Sequence, residues 1–308
     1  MDQLSDGPPT PAAKPLRSGF VALAGRPNVG KSTLANAIVG AKVAIVSDKP
    51  QTTRRAIRGV ASGPDWQLVL VDLPGVQRPR DALTERMQNR VEHELADADG
   101  CLFVVNAQEG IGPGDRFIAH TLQRAPVPVV IAVNKTDRAD RGATAAALKA
   151  AEELLPDADA IFPVSARKGS GVSALTDHLI SLLPEGPFYF DPAQRSDQTA
   201  AVRLGELIRE QVLRRTRDEI PHSVEVQVEA IDDSREDLTR IEAVVLAETE
   251  SQKRILIGSG GAMIKAIGVA ARAEIEGELA RRVHLELRVR VRRHWRADDR
   301  VLDRLGIE

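Results

Sequence analysis

A single cysteine, Cys101, stands in a chain of 308 residues, so no internal disulfide can form and no cysteine cluster can hold zinc. Aromatic residues are equally scarce, at 3% with six Phe, two Trp and one Tyr. That disfavours a nucleic-acid-binding sheet that stacks bases on exposed rings. No apolar run approaches the roughly 18 residues of a membrane span, and the first 19 residues lack the apolar core of a secretory signal. Nor does one sign of charge dominate: Lys+Arg at 42 against Asp+Glu at 44 leave −2 overall. The chain is therefore no polybasic polymer binder, and any nucleic-acid site must be a local patch. The expectation is a soluble cytoplasmic protein in a reducing compartment.

What is present is ordinary globular composition, 43% hydrophobic and 28% charged, in a length that suits about two domains. Residues 1–18, rich in Pro and polar groups, read as a disordered arm. From residue 19 to 183, short apolar runs (FVALAG, WQLVLVD, CLFVVNA, VVIAVNK, AIFPVSA) alternate with helical patterns. Strands apolar on both faces, each followed by a helix, predict a doubly wound α/β domain with a mostly parallel sheet. Residues 184–197, opening PEGPFYFDPAQ, read as a linker with an apolar clasp. Residues 198–308 switch to helix, two strands, two helices around a glycine turn, and a final strand, an α+β domain.

The first strand runs into Gly25-Arg26-Pro27-Asn28-Val29-Gly30-Lys31-Ser32, a G-x-x-x-x-G-K-S phosphate loop in the strand-to-helix setting that motif requires. Its backbone, from Gly25 through Val29 and Gly30 to Thr33, can curl N–H groups around phosphate oxygens. Lys31 brings a point charge and Ser32 a hydroxyl for Mg²⁺. Asp72 and Gly75 of Asp72-Leu73-Pro74-Gly75 close a later strand, suited to Mg²⁺ through water and to a γ-phosphate. Asn134-Lys135-Thr136-Asp137 closes another, and the Asp137 carboxylate can accept from both N1–H and the 2-amino group of guanine. Adenine offers neither donor, so discrimination can reach about 10⁴-fold. Ser165-Ala166-Arg167 ends the next strand, where a backbone N–H can meet guanine O6. Between phosphate loop and Asp72 lies Gln51-Thr52-Thr53-Arg54, where either Thr52 or Thr53 can complete a Mg²⁺ shell once γ-phosphate is present. An ATP-dependent kinase would use the same phosphate loop but has no need of Asp137.

These motifs, in this order, resemble the small Ras-like GTPases of the translation-factor class. Residue 76 is Val, where many such enzymes carry a water-orienting Gln. Resemblance to the subgroup lacking that Gln implies that Asn28 holds K⁺ beside the phosphates; otherwise Asn28 only caps the loop. Arg54 or Arg55 could act as a finger in trans, or simply be solvated.

In the second domain, Gly258-Ser259-Gly260-Gly261 is a G-x-x-G turn between helical segments, flanked by Lys253, Arg254, Met263, Ile264 and Lys265. In the order α-β-β-α-α-β this matches a type II KH domain, which clamps about four single-stranded nucleotides. Residues 281–300 hold eight arginines against Glu286, Asp298 and Asp299, a local excess of +5, and the alternation VHLELRVRV sends Val283 to Val291 inward at odd positions and the arginines outward.

Taken together, GRPNVGKS, QTTR, DLPG, NKTD, SAR, EIPHSVEVQVE and the GSGGAMIKAIG…VHLELRVRVRRHWR tail resemble the Era family of GTPases over residues 19–307. The resemblance implies a slow, K⁺-stimulated, Mg²⁺-dependent GTPase. Its KH domain would bind the 3′ region of 16S rRNA and assist maturation of the 30S subunit, with peripheral membrane association. Other targets within the class are the large subunit or tRNA, and a further alternative is an RNA-binding scaffold that scarcely hydrolyses GTP. Two departures stand out. Leu73 replaces the family's usual Thr, and Ser259-Gly260 lack the basic residue common in the turn.

Overall fold

The computed structural model describes residues 15–49, 51–75, 81–124, 126–218 and 220–307. The bulk of the Pro-rich arm and Val76 lie outside them. The first domain contains β1 (Arg17–Ala24), α1 (Lys31–Val39), β2 (Ile57–Ser62), β3 (Trp66–Asp72), α2 (Ala82–Asp97) and β4 (Gly100–Asn106). It continues with α3 (Pro113–Leu122), β5 (Val129–Asn134), α4 (Arg141–Leu154), β6 (Ala160–Pro163) and α5 (Val172–Ser181). The strands form one sheet in the order β2-β3-β1-β4-β5-β6, parallel except for β2. Alternate residues of β1 explain the layering. Ala22 and Ala24 face a core shared with α2, α3 and α4, while Val21 and Leu23 face α1 and α5.

The expected α/β architecture is present, with two differences. Strand β1 starts at Arg17, two residues before the anticipated boundary. Its N–H donates to Asp65 O at 2.9 Å and its guanidinium to Leu183 O at 2.9 Å, so the pairing reaches further into the polar segment than its composition suggests. The antiparallel edge strand β2 was not anticipated, because Arg58 and Gly59 interrupt its apolar pattern. The 184–197 segment is a strap along this sheet: Gln67 accepts from the Tyr189 and Phe190 amides and donates to Phe190 O, and Tyr189 packs on Phe20 at 4.7 Å.

The second domain contains α6 (Ala200–Arg215), α7 (Ile220–Ser223), β7 (Glu225–Arg235), β8 (Leu238–Ala247), α8 (Glu250–Ile257), α9 (Ala262–Leu279), β9 (Arg282–Val291) and α10 (Asp299–Arg304). In the sheet β7-β8-β9 the first pair is antiparallel and the second parallel, the α-β-β-α-α-β order expected. Odd residues of β8, from Ile241 to Ala247, pack under α6, α8 and α9. Even residues Val244 and Leu246 pack instead with Trp295, Leu302 and Leu305 and with Leu83 and Met87 of α2. The C-terminal segment is thus an apolar wedge between the two domains. Among the described residues no single helix is long and apolar enough to cross a membrane; α8 and α9, bent by 44°, qualify only as a pair by length and composition.

Candidate functional site

At the strand ends lies one cavity of about 290 Å³, lined by the phosphate loop, residues 45–49 and 51–53, Gly75, Lys135 and Arg138. The loop curls because Gly30 takes φ 103° at the start of α1, and a side chain there would meet Asn134 Nδ2 at 2.4 Å. Asn134 closes the site from the other side, donating to Val29 O at 3.0 Å and accepting from the Ala166 amide at 3.0 Å. Buried Lys31 donates to Gly25 O and Arg26 O, the carbonyls at the loop's start. Burial pushes its amine down to about 8, against the pull of Asp72.

Next to it the Ser32 hydroxyl lies 3.1 Å from Thr53 Oγ1, which donates to Asp72 Oδ2 at 3.3 Å. Thr52 is turned away, its hydroxyl on Lys49 O at 2.6 Å. Of the two threonines only Thr53 therefore joins Ser32 and Asp72. Burial raises the Asp72 carboxyl above its ordinary range, opposed by Lys31. Its Oδ1 is buried without a hydrogen-bond partner among the described residues. An orphaned carboxylate oxygen beside two hydroxyls and a lysine is a donor set that suits Mg²⁺ and a phosphate.

Beyond the end of β5, the Ser165 hydroxyl donates to Asp137 Oδ1 at 2.7 Å, which holds that carboxyl below its usual range. The Ser165 amide is bonded to Ser170 O and the Ala166 amide to Asn134. Of the three amides in the Ser165–Arg167 turn, only that of Arg167 lacks a partner among the described residues. Lys135, at φ 65°, lays its amine on Asn28 O, and Asn28 donates to Asp48 O at 2.7 Å. Asn28 thereby links the phosphate loop to the segment that follows α1.

Arg54 and Arg55 are neither a finger in trans nor solvated. Arg54 is 2% exposed and donates to Glu225 Oε2 at 2.9 Å, and Arg55 donates to Glu206 Oε1 at 2.8 Å, both across the domain interface. Interface charges extend upstream, where Val46 N–H donates to Glu210 Oε1 at 2.9 Å and Lys42 pairs with Glu210. These partners carry no signal in the sequence, because Glu206, Arg209 and Glu210 have the composition of a solvated helix face. In fact residues 204–213 are all buried.

The G-x-x-G turn lies between α8 and α9. Gly258 takes φ 73°, and a side chain there would meet Met263 N and Cβ at 2.8 Å. Ser259, Gly260, Arg254 and Lys265 are exposed, whereas Lys253, Met263 and Ile264 are half-buried, the last two against the domain core. The exposed apolar residues beside the turn are Ile255 and Val269, at 49% and 53%. Ile255, Leu256 and Ile257 are consecutive, and one helix face cannot cover all three, a signal that could have flagged Ile255. The β9 alternation holds, with Val283 buried and Leu285 to Val291 half-buried on an edge strand. Four of the eight tail arginines have carboxylate partners: Arg288 with Glu286, Arg290 with Glu229, Arg292 with Asp298, and Arg296 with Asp81. Glu286 and Asp298 are already counted in the local excess, and Glu229 and Asp81, from outside the tail, reduce it further.

A phosphate loop and an Asn134-Lys135-Thr136-Asp137 strand end in one domain, with a G-x-x-G turn in the next, mark a GTPase joined to a KH domain. Family comparison agrees: residues 20–135 match the 50S ribosome-binding GTPase family and residues 219–296 the KH domain. The chain is 45% identical over 296 residues to GTPase Era of Mycobacterium tuberculosis strain H37Rv, covering 94% of this chain and 99% of that protein. It is 45% identical over 295 residues to GTPase Era of Mycobacterium avium strain 104, with the same coverage. A variant of Aquifex aeolicus Era bound to GDP and AlF4⁻ superposes with TM-score 0.91 at 33% identity, over 95% of this chain and 99% of that one. Equal values hold for Era in complex with MgGDPNP and nucleotides 1506–1542 of 16S ribosomal RNA. The chain belongs to the Era family of GTPases.

Proposed function

We propose that this GTPase is a ribosome-assembly factor that grips the 3′ region of 16S rRNA through its KH domain and assists maturation of the 30S subunit. The observation that carries this reading is the likeness, over 95% of the chain, to an Era structure holding MgGDPNP and that RNA. The turn at Gly258–Gly261 clamps the RNA backbone, Lys253, Arg254 and Lys265 meet phosphates, and Met263 and Ile264, with Ile255 and Val269, form the apolar wall for bases.

In the GTPase site, Lys31 binds the β- and γ-phosphates, with the amides from Val29 to Thr33 and of Gly75 around them. Ser32, Thr53 and, through water, Asp72 hold Mg²⁺, which neutralises charge on the phosphates when bound. Asp137, fixed by Ser165, reads the guanine edge, and the Arg167 amide meets O6. The family resemblance supports a role for Asn28 in holding K⁺ beside the phosphates, with a slow hydrolysis that K⁺ stimulates. Peripheral membrane attachment is an expectation from the family resemblance.

The test is the affinity of the full chain for a single-stranded oligonucleotide copying the 3′ end of 16S rRNA, against a scrambled control, with GTP analogue and with GDP at fixed salt. Selective binding that is tighter with the analogue is expected; equal binding to both oligonucleotides would overturn the rRNA assignment.

A further inference from the structure

The segment that carries Thr53 is not held by the GTPase domain alone. Thr53 itself faces Ser32 and Asp72, but its neighbours on both sides end on the KH domain. Arg209 of α6, fully buried, donates to the Thr52 carbonyl. Arg54 donates to Glu225 and to the carbonyls of Val224, Pro221 and His222. Glu206 ties Arg209 in turn, accepting two hydrogen bonds at 3.0 and 2.8 Å. The peptide unit before one threonine and the side chain of the residue after it are thus fixed in the frame of α6 and of the segment from α7 into β7.

Burying four such charges costs desolvation, and an apolar interface of the same size would be at least as stable. Ion pairs supply something an apolar contact does not, namely direction. A guanidinium whose two terminal nitrogens are held by Glu225 and by backbone carbonyls fits in one place only, so a small shift of the KH domain is carried to Thr53 through the short segment between them.

We propose that Arg209 and Glu225 of the KH domain are positioning residues of the GTPase site. They hold the Thr53 hydroxyl against Ser32 and Asp72, so the GTP state is bound at full strength only when the KH domain is docked. The proposal deepens the function given above and rests on the reading of Thr53 as a Mg²⁺ ligand in that state.

Its test uses the full chain and its Arg209→Met, Glu225→Gln and Thr53→Ala variants. Each is titrated with a fluorescent non-hydrolysable GTP analogue and with fluorescent GDP across a range of Mg²⁺ concentrations. Expected is a loss of about tenfold in analogue affinity at limiting Mg²⁺ for each variant, with GDP affinity unchanged, because GDP has no γ-phosphate to recruit the threonine. The double variant Arg209→Met with Thr53→Ala should be no weaker than Thr53→Ala alone. Should Thr53→Ala show this pattern and both KH variants not, the positioning role is overturned and the reading of Thr53 stands. Should Thr53→Ala show no difference between nucleotides, the reading of Thr53 fails and takes the proposal with it. Equal loss of GDP and analogue in the KH variants would also overturn it, as damage to the fold. Glu225→Gln, nearly isosteric, keeps the test available if Arg209→Met does not fold.

Discussion

The Ser165 hydroxyl donates to Asp137 Oδ1 at 2.7 Å, from the end of one strand to the end of the next. The bond orients a carboxylate on a half-buried turn, and in the function proposed above its other oxygen faces the base. Asp137→Asn replaces an acceptor by a donor on one side. GTP affinity should fall by at least about a hundredfold and xanthine nucleotide should gain, since xanthine presents a carbonyl where guanine has its amino group. Ser165→Ala should cost about tenfold in GTP affinity without changing base preference, as expected for one hydrogen bond to a charged group. Competition binding with the two nucleotides reads both; unchanged GTP preference in Asp137→Asn would remove Asp137 from base recognition.

Thr52 and Thr53 are neighbours with different partners, one on Lys49 O and the other between Ser32 and Asp72. Steady-state phosphate release at saturating GTP and limiting Mg²⁺ should drop by about tenfold or more in Thr53→Ala and stay within about twofold in Thr52→Ala. The reverse order would mean that the loop changes its register when GTP binds.

Lys31 makes nucleotide affinity depend on pH with a defined sign. In the free protein, burial lowers its amine to about 8, whereas phosphates in the site favour the charged form and raise it. Below about 8 both states carry the proton and affinity is flat. Above about 8 the free protein gives up a proton that the complex retains, so GDP affinity should fall by up to about tenfold per pH unit. Fluorescent GDP titrations between pH 7 and 10 measure this; an affinity constant to pH 10 would mean that Lys31 stays charged in the free protein.

The turn at Ser259-Gly260 lacks the basic residue expected from the family resemblance, and both positions are exposed. Gly260 takes φ 57° and suits a glycine, which leaves Ser259 as the place to add charge. Ser259→Lys should tighten binding of the 16S 3′-end oligonucleotide severalfold and steepen the dependence of log affinity on log salt by about 0.7. An unchanged salt slope would place position 259 away from the RNA backbone.

How far the molecule was legible from its sequence depends on the range of the forces involved. The phosphate loop, Asp72, Asp137 and Ser165 sit at strand ends within one domain, and the strand–helix alternation that puts them there is local, so their convergence could be read directly. β2 was legible in principle: Ser62-Gly63-Pro64-Asp65 is a turn signal between two strand-forming runs, and Gly63 N–H donates to Trp66 O at 2.8 Å. Arg54, Arg209 and Glu225 were not, because a charged residue whose partner lies more than 150 positions away has the same composition as a solvated one. The same limit hid α10 and its role as a wedge.

Trp295 separates these two kinds of reading in one measurement. In the sequence it is the one Phe, Trp or Tyr of residues 198–308, and so the one such ring there to stack on a base. In the fold it is fully buried, with Nε1 donating to Ser223 O at 3.0 Å and Arg54 over its ring at 5.6 Å. It packs with Val301, Leu302 and Leu305 and, across the interface, with Leu83 and Met87. Trp295→Ala should therefore cost about 3–5 kcal/mol of stability, from the cavity it leaves. The loss should appear in urea unfolding of the full chain. RNA affinity measured well below the unfolding transition should fall only as far as the docking of the two domains loosens, so the salt slope of binding stays the same. A large drop in RNA affinity with unfolding unchanged would make Trp295 a base-stacking residue and would mean that the C-terminal wedge opens in the RNA-bound state.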